Sequence, residues 1–189
     1  VVVWRLDSDQ PVEPERLVEA ARDAIRGQDQ ALAERLARAA ADRGGGGAAF
    51  IELAEALFWQ ERHQEFDELA RRIDLSTASP AEQVRFAINV ASNHFWGLGQ
   101  ADDALAAVDS VADLEGADEA EAHAAMIELL SGHADRAQAR TSAVLVGDPG
   151  LRATARAYGA LVQSLALTGR PEAALEAAEP GLAAALGTF

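Results

Sequence analysis

Apolar residues recur along the chain at intervals of three and four. Leu17, Ala20, Ala21, Ala24 and Ile25 fall on one helical face, as do Leu32, Leu36, Ala39 and Ala40. Leu53, Ala56 and Leu57, and then Phe66, Leu69, Ala70 and Ile73, continue the pattern. Punctuation interrupts it regularly: Gly27, Gly44–Gly47, Ser79-Pro80, Gly97, Gly99, Gly116, Gly132, Gly147-Asp148-Pro149 and Gly169. Alanine, the strongest helix former, fills 44 positions, while Val and Ile are sparse and Thr is rare. The pattern predicts about ten helices of roughly 11 to 20 residues joined by short turns.

The turns that open every second helix align with one another. They read Gln28-Asp29-Gln30-Ala31-Leu32-Ala33, Glu61-Arg62-His63-Gln64-Glu65-Phe66, Gly99-Gln100-Ala101-Asp102-Asp103-Ala104, Gly132-His133-Ala134-Asp135-Arg136-Ala137 and Gly169-Arg170-Pro171-Glu172-Ala173-Ala174. The last residues of these segments are separated by 33, 38, 33 and 37. A second aligned set precedes each turn by seven residues: Ala21, Ala54, Ser92, Ala125 and Val162, four of the five small. Small residues there let the two helices of a hairpin approach closely. Five units follow, roughly 14–43, 47–75, 80–114, 117–147 and 149–187. The pattern resembles the tetratricopeptide repeat (TPR), a 34-residue helix–turn–helix with a Gly-led turn. It implies an all-α, right-handed superhelix of about five TPR-like hairpins over residues 5–187. The second unit departs from it, with Glu61 for Gly and Phe66 for Ala, and the two long spacings require longer helices or loops. An irregular helical bundle is the alternative.

The run Asn93-His94-Phe95-Trp96-Gly97-Leu98-Gly99-Gln100-Ala101-Asp102-Asp103-Ala104-Leu105 resembles a segment of the large ATP-binding LuxR-type transcription regulators. Pro11–Glu15 and Glu34–Ala40 are similar to other parts of their helical region. The resemblance implies a sensor region, TPR-like and set between an ATPase and a DNA-binding helix-turn-helix, that takes a small-molecule inducer or a protein partner. This chain would be the middle part alone, and it does not begin with Met. Gly44–Gly47 is followed by Ala48-Ala49-Phe50 rather than a phosphate-binding Lys, and no basic recognition helix is present. A free-standing scaffold that holds peptide segments of partner proteins is the alternative. Exposed ends of the array would allow self-association.

Composition narrows the function classes. All 16 basic residues are Arg, against 31 acids, for a net charge of −15, which opposes direct nucleic-acid binding by this chain. Without Cys there is no disulfide framework, zinc ribbon or thiol chemistry. Uncharged runs fall short of the roughly 20 apolar residues of a membrane span. Val1-Val2-Val3-Trp4 lacks the basic leader of a signal peptide, and a cytoplasmic location is expected. His63, His94, His123 and His133 show no metal-ligand spacing, and Ser92, Ser131, Ser142 and Ser164 no nucleophile elbow. No enzyme activity, cofactor or metal is therefore expected. The ten acids between Phe86 and Asp135, uninterrupted by Arg, read as a solvated face or a dock for a basic partner.

In helix-hairpin solenoids the first helix of each pair lines the concave surface. Its exposed stripe would carry Arg22, Glu55 with Trp59, Asn89 and Asn93 with Trp96, Met126, and Arg156 with Gln163. Amide and guanidinium groups around Trp suit a peptide backbone or a polyol. The alternative places Asn89 and Asn93 on neighbouring carbonyls and packs Trp96 between helices.

Overall fold

The computed structural model describes residues 2, 4, 11–76 and 78–188. The expected start of the array, residues 5–10, lies outside them. Among the described residues there are ten α-helices, one π-helix and no strand. By internal contacts the chain divides into two compact units, Val1–Glu82 and Gln83–Phe189.

The first unit holds two hairpins: α1 (Pro14–Arg26) with α2 (Gln30–Asp42), and α3 (Gly46–Trp59) with α4 (His63–Ala70). Helix α5 (Pro80–Ser92) begins at the boundary and runs into a π-helix, Asn93–Gly97. It pairs with α6 (Ala101–Asp109) in the second unit. The hairpins α7 (Asp118–Leu130) with α8 (Ala134–Val146), and α9 (Leu151–Leu167) with α10 (Pro171–Leu186), complete that unit. Local chemistry sets the helix starts. Pro14 and Pro171 occupy first-turn positions, where a missing N–H costs nothing. The Asp29 carboxylate caps α2 by accepting from Leu32 N at 3.0 Å. Ser79 and Glu82 form a reciprocal capping box at α5: Ser79 N donates to Glu82 Oε2 at 2.8 Å, and Glu82 N donates to Ser79 Oγ at 3.3 Å.

The aligned turns share one backbone geometry. Gln28, Glu61, Gly99, Gly132 and Gly169 all have positive φ, between 59° and 89°. Four of the turns close with the same six-to-one bond: Asp29 N to Ala24 O, Arg62 N to Leu57 O, His133 N to Glu128 O and Arg170 N to Leu165 O, at 2.9–3.0 Å. Gln28 and Glu61 adopt this left-handed conformation against the Cβ penalty that Gly avoids. The sequence departure at Glu61 is thus a change of residue within an unchanged turn. The long spacings come from longer first helices. Helix α9 has 17 residues against 13 in α7, and α5 continues through the five-residue π-helix. Two second helices are shorter than expected, α4 with 8 residues and α6 with 9.

Alanine dominates the contacts between helices. Ala21, Ala54 and Ala125 at the predicted crossings are fully buried, as are Ala33, Ala37 and Ala40 in α2. Phe66 replaces the small residue of the other turns and is itself fully buried, packing α4 into the first unit. In the second unit Val84, Ala87, Ile88 and Ala91 of α5 meet Ala104, Val108 and Ala120, Ala124, Ile127 in one core. A second cluster joins Ala122, Val144, Ala153 and Ala157. These backbones approach closely because most of the side chains between them are single methyl groups.

Candidate functional site

The predicted groove residues divide between the units: Arg22, Glu55 and Trp59 in the first, and the rest in the second. In the first unit Arg22 reaches from α1 to α3, its Nε and Nη2 donating to Glu52 Oε1 at 2.9 and 2.7 Å. Glu52 is fully buried, while the Arg22 side chain is 39% exposed. Glu55 lies partly buried one turn further along α3. Trp59 ends that helix 59% exposed, edge-on to Phe58 at 5.3 Å. On the second helices Glu34 collects Arg38, Gln60 and Arg62 at 2.6–2.9 Å. Burial alone would raise the Glu34 pKa, but these hydrogen bonds outweigh it and hold the carboxyl at about 2.

In the second unit three successive first helices are joined by a polar row. Ser92 at the end of α5 donates its hydroxyl proton to Ile88 O at 2.8 Å. Its oxygen also lies within hydrogen-bond distance of His123 Nε2 on α7, at 3.1 Å. Burial, and secondarily the Arg156 charge on α9, push the His123 pKa down to about 4, so the ring is neutral near pH 7. Arg156 in turn pairs with Glu119 on α7 at 3.5 Å. Asn89, one turn before Ser92 on α5, is partly buried, and its Nδ2 is buried with no acceptor.

Asn89 lies one turn from Ser92 on α5 and Arg156 pairs with Glu119 on α7, whereas Asn93 does not share that row. Asn93 is fully buried at the start of the π-helix, where its carbonyl accepts Leu98 N at 3.0 Å. The i, i+4 reasoning that placed it beside Asn89 on an exposed stripe assumed a regular α-helix, and the wide turn breaks that assumption. The alternative for Trp96 is also set aside: it is 58% exposed, edge-on to Phe95 at 4.7 Å, and not packed between helices. Gln163 is exposed and folds back on its own helix, donating to Gly159 O at 3.2 Å. Met126 is partly buried.

Sequence reasoning missed Glu52, Ser92, His123 and Glu119 as members of these seams. The alignment carried the signal, since Glu52 and His123 each stand two residues before the crossing alanines Ala54 and Ala125. No group of three or more metal-ligating side chains occurs among the described residues. No helix among them is long and apolar enough to cross a membrane.

No family model matches the chain, and no curated protein matches it in sequence. Solved structures do match its fold. YrrB, a TPR protein with an unusual peptide-binding site, superposes with a TM-score of 0.54 at 16% identity, over 89% of this chain and 84% of YrrB. The fold is TPR-like. A point mutant of MamA gives a TM-score of 0.55 at 17% identity, covering 90% of this chain and 96% of that one. At these identities the likeness is one of fold, and none of it points to the LuxR-type regulators that residues 93–105 resemble.

Proposed function

We infer that this chain is a non-enzymatic protein-interaction scaffold that holds an extended segment of a partner protein along the first helices of its second unit. The polar row across α5, α7 and α9 carries the reading. It carries the half-buried amide of Asn89 and the ring of His123, polar groups that suit a peptide backbone. Arg156, bound to Glu119 only at 3.5 Å, adds a cation for a carboxylate or carbonyl. Trp96 supplies exposed apolar surface beyond the end of α5. YrrB, with a peptide-binding site on the same fold, supports the reading.

The test is affinity for a peptide selected from a random display library on the intact chain. Asn89→Ala removes a donor that no protein group uses, so the melting temperature should hold while affinity falls by about 0.5–1.5 kcal/mol. Unchanged affinity in both Asn89→Ala and Arg156→Ala would refute the placement. The narrower reading, an inducer-binding segment working with ATPase and DNA-binding domains, rests on the resemblance of residues 93–105, with Pro11–Glu15 and Glu34–Ala40. A phosphate-binding loop upstream and a helix-turn-helix downstream in the reading frame would support it.

A further inference from the structure

The second helix of the second hairpin stops early. Helix α4 ends at Ala70 after 8 residues, where α2 and α8 each run to 13. Past Ala70 the chain turns away, and the Asp74 carboxylate accepts Ser76 N at 2.9 Å to fix the new direction. Beside the end of α4 is an open cleft of about 410 Å³, bounded also by α2 and α3. Phe50, Leu53, Leu69 and Ile73 line it, and all but Leu53 remain partly exposed. The cleft is walled by α2, α3 and the end of α4, and neither Arg22 nor Glu52 lines it.

Charge at the rim is uneven. Arg38 is tied to Glu34 at 2.6 Å, Arg62 to Glu34 and Glu65, and Arg71 to Asp67. Arg72, exposed at the mouth of the cleft, has no carboxylate partner among the described residues. Asp42 also lines the rim, exposed and likewise without a partner among the described residues, but two guanidiniums, Arg38 and Arg72, line the same mouth against its one carboxylate. An uncommitted guanidinium beside uncovered apolar side chains is complementary to an apolar group with an anion next to it.

We propose that this cleft is a second docking site, which takes a bulky aliphatic or aromatic side chain from an acidic segment of a partner protein and binds the adjacent carboxylate at Arg72. Covering Phe50, Leu69 and Ile73 supplies the apolar gain, and Arg72 selects the charge. The test is a nuclear magnetic resonance titration of the intact chain with a capped tetrapeptide, phenylalanine and leucine flanked by two glutamates, and with its lysine-flanked counterpart. The acidic peptide should shift the amides of Phe50, Leu69 and Ile73, and Arg72→Glu should weaken it roughly tenfold or more. Arg72→Lys should recover part of that loss, since the charge returns without the fork. Arg72 is exposed, so neither substitution threatens the fold. Equal affinity for wild type and Arg72→Glu, a preference for the lysine peptide, or no shifts at millimolar peptide would each overturn the proposal. Shifts confined to Asn89, His123 and Arg156 would overturn it too, while leaving the polar row of the second unit standing.

Discussion

His123 places a proton-linked weakness in the second unit. Its folded pKa of about 4 lies below the ordinary value of 6.5, because burial and then Arg156 disfavour the imidazolium. When the chain unfolds the ring regains water, and below pH 6.5 it takes up a proton that the folded state refuses. The unfolded state then binds more protons, so stability falls as pH drops from 6.5 towards 4 and this contribution levels off below. Linkage with these two values gives a loss of about 2 kcal/mol between pH 7 and pH 5. Glu34 in the first unit works in a separate window. Its carboxyl, held at about 2, contributes stability that is complete above the unfolded value of 4.5 and is lost only as pH falls from there towards 2. The assay is urea unfolding followed by circular dichroism at pH 7, 6 and 5 for wild type and His123→Gln. The variant keeps a polar partner for Ser92 but cannot titrate, so the difference in unfolding free energy should shrink or reverse by about 2 kcal/mol over that range. A parallel pH dependence in the two proteins would refute the reasoning, as would a His123 ring proton titrating near 6.5.

Glu61→Gly should stabilise the first unit by up to about 1 kcal/mol, since Gly relieves the left-handed strain at some cost in unfolded-state entropy; a lower melting temperature would contradict it. Gly181→Ala should destabilise by about 1–2 kcal/mol despite alanine's better helix propensity, because an added Cβ would sit 2.7 Å from Tyr158 Cβ. Differential scanning calorimetry checks both. Asn93→Ala should lower stability by about 1–3 kcal/mol, as a buried polar group in the wide turn, and Trp96→Ala by less, as an exposed ring; thermal melts of the two variants rank them. Leu175, Leu182 and Leu186 stand 63–76% exposed along α10, and we expect them to drive weak self-association. Leu175→Arg with Leu182→Arg should abolish it in sedimentation velocity, and a wild type that stays monomeric at high concentration would sink the idea.

The hairpin plan was legible because it is written in features of short range. Apolar spacing set the helices, and the turn position announced itself through Gly99, Gly132 and Gly169 strongly enough to carry Gln28 and Glu61 with it. Helix length was less legible. Nothing in Arg71-Arg72-Ile73 breaks a helix, yet α4 ends there, because where a second helix stops depends on what remains for it to cover. The candidate site was less legible. Counting from the crossing residue put Arg156 and Asn89 on first helices, but the count failed across the π-helix at Asn93. The partners that give the site its character, Ser92 with His123 and Glu119 with Arg156, join residues about 30 or more apart and become visible only when the helices are side by side.

That wide turn changes how an insertion is absorbed. An extra residue in a regular helix swings everything beyond it through about 100°. Such a swing would carry the next hairpin with it. Asn93–Gly97 confines the displacement to five residues and returns the chain to the same left-handed corner at Gly99 that the other hairpins use. The stacking of α6 against its neighbours is therefore insulated from the aim of Trp96. Residues could be gained or lost here as a change of aim, altering what the end of α5 shows to a partner while the joints of the array keep their phase.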